Sequence, residues 1–128
     1  MTDSKRLRPH PRDRFAAPMI LLELRKAAAA LRAEPHAAVA GHRQVVLFRK
    51  GPVSVVLFAF DAGGFLKSHR TDGVVIVQAL TGHLHIEAAG DRHEVAADRL
   101  LALAPGVVHS VQATEQADML LTIHKPAR

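Results

Sequence analysis

The amino-acid sequence predicts an all-β domain preceded by one helix. After residue 40, short runs rich in β-branched and other apolar residues follow one another at the spacing of strands. Turn-forming residues separate these runs, for example at Gly51-Pro52 and Pro105-Gly106. Before residue 40 the apolar residues recur with a helical period instead. Many short strands at regular spacing favour a closed barrel or a sandwich.

The composition excludes several classes of function. The 128 residues are enough for one domain, and the chain has no cysteine, which excludes disulfides, thiol nucleophiles and Cys-type zinc or iron–sulfur sites. No apolar run is long enough to span a bilayer, and no apolar signal core follows the basic start of the chain. We therefore expect no membrane partner and a cytoplasmic location.

Positive charge is concentrated near the N-terminus. Residues 1–34 carry +4 of the total net charge of +5, so the main body is nearly neutral. We interpret residues 1–17 as a flexible basic tail. Because the body has no basic stripe and the chain lacks Trp and Tyr, we expect no nucleic-acid partner.

One amphipathic helix is predicted in an N-terminal segment that covers residues 18–35. Pro18 stands where a first helical residue would be, and Pro35 stops the helix at about residue 34. Apolar residues between them form one helical face. These residues are Ile20, Leu21, Leu24, Ala28 and Leu31. This face must pack on the rest of the domain or on a second subunit.

The β-rich domain covers residues 40–126 and contains eight clear extended runs. They are Gln44–Arg49, Val53–Phe60, Val74–Leu80, His83–Glu87, His93–Val95, Leu100–Leu103, Val107–Gln112 and Met119–His124. Alternate residues of a strand share one face, so we expect Lys67, His69 and Thr71 to point the same way.

The same alternation makes Val75 and Val77 neighbours on one face of their strand. It places His83 and His85 together, opposite the apolar residues that alternate with them. If those apolar residues fill the interior, the two imidazoles face outward. A solvated or interface face is then the favoured interpretation of the His-x-His pair, ahead of a metal site.

Five positions carry a resemblance to the cupin superfamily, the small RmlC-like jelly-roll barrels. The family's first motif is matched in spacing and identity by Gly63, His69 and Gly82, and its second by Gly106 and His109. The resemblance spans roughly residues 44–124. Five defining positions keep the spacing but differ in identity: Thr71, Val75, Asp98, Ala104 and Ala113.

The resemblance implies a double-stranded β-helix, or jelly-roll (cupin) barrel, with the helix at its N-terminus. In metal-containing cupins the two motifs supply His, His, Glu and His to one divalent ion. Carried over position by position, this chain offers His69, Thr71, Val75 and His109. Because only the two histidines are good ligands, the resemblance implies at most a weak or incomplete site for Zn, Ni, Fe or Mn.

We interpret the chain as a small cupin that holds a small ligand in its barrel. The pocket we expect has apolar walls and a few polar groups, a combination typical of small-molecule sites. A lysine beside two histidines would favour an anionic ligand such as a carboxylate. The expected pocket residues are Lys67, His69, Thr71, Val75, Val77 and His109.

Two alternatives stay open, as does the question of whether the chain is an enzyme. One is a metal-dependent cupin enzyme, of the dioxygenase or isomerase type, that uses His69 and His109. The other is a ligand-sensing regulatory module that acts with a partner protein. We also expect a homodimer, because the apolar outer faces of the strands and the helix need cover.

Overall fold

Two antiparallel sheets face each other in the computed structural model, which describes residues 14–126. Most of the expected basic tail, residues 1–13, lies outside the described residues. Between residues 15 and 126, helix α1 spans Leu24–Arg32. The nine strands are β1 His42–Lys50, β2 Val53–Phe60, β3 Phe65–His69, β4 Val74–Thr81, β5 His83–Ala88, β6 Asp91–Ala96, β7 Leu100–Leu103, β8 His109–Ala113 and β9 Ala117–His124.

The strands are shared between the sheets in the manner of a jelly roll. One sheet has five strands in the order β1-β2-β9-β4-β7, and the other has four in the order β3-β8-β5-β6. Every pairing is antiparallel. The expected fold class, an all-β jelly-roll barrel with one N-terminal helix, is confirmed.

A close-packed apolar core fills the space between the sheets. Alternation along each strand sends every second side chain inward, and these side chains are almost completely buried. They include Phe58, Phe60, Val77, Leu84, Ile86 and Met119. Burial of this apolar surface is the main force that holds the two sheets together.

The helix covers the outer face of the five-stranded sheet. Ala28 and Leu31 of α1 pack against Leu57 and Ala59 of β2, which explains why β2 is apolar on both faces. The helix begins at Leu24 instead of near residue 18, and residues 15–23 are not helical. Since short helices depend on tertiary packing, the helix forms only where its apolar turns lie on the sheet.

An ion pair fixes the end of the helix to the sheet. The guanidinium of Arg32 lies 2.6 Å from a carboxylate oxygen of Asp118, and it also donates to the backbone carbonyls of Phe60 and Ala117. Asp118 is buried at the start of β9. The helix is therefore held by a charged contact as well as by its apolar face.

The strand connections divide between two ends of the barrel. The β1–β2, β3–β4, β5–β6 and β7–β8 connections lie at the same end, which we call the mouth. Here the amide of Gly106 donates to the carbonyl of Thr71 at 2.8 Å and ties two of these connections together. None of the described helices is long and apolar enough to cross a membrane.

Candidate functional site

Two imidazoles meet at the mouth of the barrel. His69 ends β3 and His109 begins β8, and the two residues are directly paired in the four-stranded sheet. Their ring centroids are 4.3 Å apart, with the rings tilted by 58°. His69 is exposed, whereas His109 is only 2% exposed. The pair therefore joins a solvent-facing imidazole to a buried one.

Backbone carbonyls orient both rings in the same way. The Nδ1–H of His69 donates to the carbonyl of Lys67 at 2.8 Å, and the Nδ1–H of His109 donates to the carbonyl of Val107 at 3.0 Å. A carbonyl can only accept, so Nδ1 carries the proton in each neutral ring and Nε2 carries the lone pair. Each Nε2 is then available to a ligand.

The environment of His109 disfavours its charged form. Burial lowers the pKa of His109 below its usual 6.5, and the nearby His69 lowers it further, while the hydrogen bond to the Val107 carbonyl opposes the change. At neutral pH the His109 ring is consequently neutral. It takes up a proton when acid is added or when an anion arrives beside it.

Lys67 is separated from the histidine pair by a change in strand register. Leu66 pairs with Val111 and His69 pairs with His109, so two residues of β3 lie opposite one residue of β8. Lys67 lines a cavity on the outer face of the four-stranded sheet. The prediction that Lys67 and His69 share a face is therefore wrong. It assumed that side chains alternate regularly along β3, and the register shift interrupts this alternation.

Three other residues expected in the pocket, Thr71, Val75 and Val77, stabilise the fold instead. Thr71 accepts a hydrogen bond from the amide of Gly73 at 3.0 Å through its hydroxyl oxygen, which shapes the β3–β4 connection. Val75 and Val77 are 2% and 0% exposed and belong to the core between the sheets. The barrel interior at these two valines is packed with protein side chains.

The donor set at the mouth does not fit the four-ligand metal centre of metal-containing cupins. Valine has no ligand atom, the hydroxyl of Thr71 is hydrogen-bonded within its own connection, and only His69 and His109 supply imidazoles. Within residues 14–126, no third His, Asp or Glu joins these two in a cluster of metal-ligand geometry.

A second feature of the mouth is a cavity of about 530 Å³ on the side of the five-stranded sheet. Its apolar lining includes Val56 and Ile123, and its charged lining residues, Arg49 and Lys125, are both cations. Arg49 donates to the hydroxyl of Ser54, another lining residue, at 3.3 Å. The cavity thus combines an apolar floor with two positive charges.

A separate polar cluster lies on the outer face of the four-stranded sheet. Nε2 of His83 is 2.7 Å from one carboxylate oxygen of Glu94, and Nε2 of His85 is 3.0 Å from the other. The guanidinium of Arg92 contacts Nδ1 of His85. The hydrogen bond from His83, aided by the charges of His85 and Arg92, lowers the pKa of Glu94.

Sequence reasoning missed two parts of this arrangement. Arg49 and Lys125 are far apart in the chain and carry no motif, so only the folded structure brings them together. Glu94 could have been found, because a two-residue turn at Ala89-Gly90 places it directly opposite His85 in the β5–β6 hairpin.

Comparison with known proteins supports the fold. No family model matches the sequence, and no curated protein matches it. Among solved structures, a cupin superfamily protein from Desulfitobacterium hafniense has a TM-score of 0.66 and 16% identity, over 71% of this chain and 84% of that chain. An RmlC-like cupin from Shewanella frigidimarina has a TM-score of 0.65 and 20% identity, over 70% of this chain and 80% of that chain.

A third similar structure comes from a metalloprotein. Oxalate decarboxylase from Bacillus subtilis, which has Mn(II) centres, matches with a TM-score of 0.59 and 19% identity, over 73% of this chain and 28% of that chain. Likeness at these identities establishes architecture and leaves function open. The chain has the cupin fold, and the resemblance to the cupin superfamily is confirmed at that level.

Proposed function

We propose that this protein binds a small organic anion at the mouth of its barrel. The observation that carries the proposal is the cavity that combines Arg49 and Lys125 with the apolar Val56 and Ile123. Two cations attract a carboxylate, and the apolar floor buries the rest of the ligand. As in the sequence-based prediction, the proposed ligand is an anion, but the cations that would bind it are Arg49 and Lys125 instead of Lys67.

We extend the proposal to the histidine pair, which lies at the same end of the barrel on the other sheet and does not line the cavity itself. His69 and His109 lie at the mouth end, where an arriving carboxylate would favour the protonated form of His109. Anion binding is then linked to proton uptake, so affinity increases as the pH falls below neutrality.

Octanoate is a suitable test ligand, because it pairs one carboxylate with an apolar chain, and octanamide is its uncharged counterpart. At about ten times its dissociation constant, octanoate should raise the melting temperature by roughly 3–6 °C. Arg49→Gln and Lys125→Gln should each weaken binding by about two- to five-fold, the usual effect of losing one exposed charge pair.

Lys26→Gln is the matched control, because Lys26 is an exposed cation on the helix, paired with Glu23. It removes the same charge away from the cavity and should leave octanoate binding unchanged. Equal binding of octanoate and octanamide, or equal losses in all three variants, would contradict the proposal.

We also propose that two copies of the chain form a homodimer through the five-stranded sheet. Val74 and Leu100 are 39% and 56% exposed, and they lie on the outer face of the adjacent strands β4 and β7. Ile76 and Ala102 pair between them on the same face. A second copy would remove this apolar strip from water.

A further inference from the structure

We infer that His83, His85 and Glu94 form a site for one divalent transition-metal ion on the outer face of the four-stranded sheet. Two imidazoles and one carboxylate are the donor types that Zn, Fe and related ions prefer. This site is distinct from the mouth and uses none of the positions that the cupin motifs define.

Strand geometry brings the three donors together. Leu84 is completely buried in the core, so the residues on either side of it in β5 point to the outer face. Glu94 pairs with His85 across the β5–β6 hairpin and lies between the two rings. All three residues therefore stand on the same patch of one sheet face.

The distances suit a single ion after a small adjustment. The ligand atoms of the three residues lie within 4.8 Å of one another, and the carboxylate is already 2.7–3.0 Å from both Nε2 atoms. Donors on a tetrahedral ion with bonds of about 2.1 Å lie roughly 3.4 Å apart. Side-chain rotation alone can supply shifts of this size.

The supporting backbone is well fixed. β5 lies between β8 and β6, so both of its edges are hydrogen-bonded. The amide and the hydroxyl of Thr114 both donate to the carbonyl of His83, at 3.2 and 3.3 Å. The two histidines lie on this central strand and are therefore held with little loss of conformational entropy when the ion binds.

Space for further ligands adjoins one of the three donors, His85. A cavity of about 480 Å³ is lined by His85, Lys67, Arg92 and Ser110, among others. Protein groups supply three of the coordination positions, which leaves the rest for water or an anion, as in catalytic metal sites. The two cations in the cavity would then favour a negatively charged ligand on the ion.

Arg92 is the residue that opposes metal binding. Its guanidinium donates to Nδ1 of His85, which directs the ring proton to Nε2, the atom that faces Glu94. Its positive charge also repels an incoming cation. Arg92→Ala should therefore increase the affinity for the ion by about two- to five-fold.

The test is a titration of the full chain with Co²⁺ after all metal has been removed by a chelator. Calorimetry gives the stoichiometry, and the visible absorption of Co²⁺ reports coordination by nitrogen and oxygen ligands. We expect one ion per chain, at least tenfold weaker binding in His85→Ala and in Glu94→Gln, and tighter binding in Arg92→Ala.

His124→Ala and His69→Ala are the matched controls, because both remove an exposed histidine outside the three-residue site. Both should bind Co²⁺ as the unchanged chain does. The inference is overturned if no ion binds at up to about 1 mM Co²⁺, or if His69→Ala abolishes binding while His85→Ala keeps it. Glu94→Gln preserves the shape of an exposed side chain, so its effect is not a failure to fold.

Discussion

His109 is the residue whose chemistry the fold changes most clearly. Its ring is buried at the mouth beside His69, and burial lowers its pKa below 6.5. The unfolded chain therefore takes up this proton at a higher pH than the folded chain does. The contribution of His109 to stability is complete above about pH 6.5 and decreases as the pH falls towards its folded pKa.

We predict that the free energy of unfolding decreases as the pH is lowered below 6.5. His109→Gln should reduce this dependence, because glutamine does not titrate. His124→Gln, which removes an exposed histidine, should leave the dependence nearly unchanged. Urea unfolding at several pH values measures the slopes, and equal slopes for the two variants would contradict the assignment.

The direction of individual side chains could be predicted from the sequence in β5 and could not be predicted in β3. Alternation correctly separated the buried Leu84 from the outward His83, because β5 is regular. It misplaced Lys67, because β3 contains a register shift that no turn residue announces. Side-chain direction is thus predictable within a regular strand and unpredictable past an irregularity.

At the scale of elements, the glycines of the cupin motifs are required by backbone conformation. Gly63, Gly82 and Gly106 all have φ between +78° and +85°, a region that favours glycine. A Cβ atom on Gly82 would lie 2.4 Å from the carbonyl oxygen of Gln116, whereas one on Gly106 would meet open space. Gly82 is therefore required both by its backbone conformation and by the close approach of Gln116, whereas Gly106 is required by its backbone conformation alone.

We predict that Gly106→Ala costs about 1–2 kcal/mol, the cost of a left-handed conformation. Gly82→Ala should cost distinctly more, because the added methyl group also collides with backbone. Thermal or urea unfolding of the two variants measures the difference. Equal losses of stability would show that the close approach to Gln116 has no energetic effect.

The helix provides a second prediction for an element. Arg32→Ala would leave the buried carboxylate of Asp118 without its partner, so we expect a loss of about 1.5–3 kcal/mol, the usual value for a hydrogen bond to a charged group. Arg25→Ala, at an exposed position of the same helix, should change stability by less than about 0.5 kcal/mol. Urea unfolding compares them, and similar values would mean that the ion pair does not stabilise helix docking.

The positions of the elements were largely predictable from the sequence, and their lengths were less so. Strands such as Val53–Phe60 are apolar runs between turn residues, which local patterns reveal. β3 was absent from the extended runs, because Phe65–His69 is mostly exposed and lacks an apolar pattern. The helix is shorter than its apolar pattern, because packing on the sheet sets its start.

At the scale of the whole molecule, the spacing of a few motif residues was enough to predict the fold. Three of the five matching positions are glycines in strand connections and two are histidines of the four-stranded sheet, and together they carried the resemblance that predicted the jelly roll. The site was less predictable, because its cations come from β1 and from the residue after β9. Arg49 and Lys125 can be recognised as a pair only in the folded structure, where the ends of their strands lie together at the mouth of the barrel.

The proposed homodimer gives a prediction for the assembly. Sedimentation equilibrium at about 100 µM chain should give twice the chain mass, a concentration well above the dissociation constant of a stable dimer. Leu100→Lys should yield a monomer, since it places a charge in the apolar strip of β4 and β7. A monomer in the unchanged protein would contradict this assembly.

The location of a bound anion decides whether the mouth of the barrel is the binding site. Nuclear magnetic resonance of the histidine side chains, recorded while octanoate is added at pH 6.5 and 7.5, reports each imidazole separately. We predict that the signals of His69 and His109 shift, and that the pKa of His109 rises on binding. Shifts confined to His83 and His85, or no shift of His69 and His109 at saturating octanoate, would contradict the claim that the anion binds beside the histidine pair at the mouth.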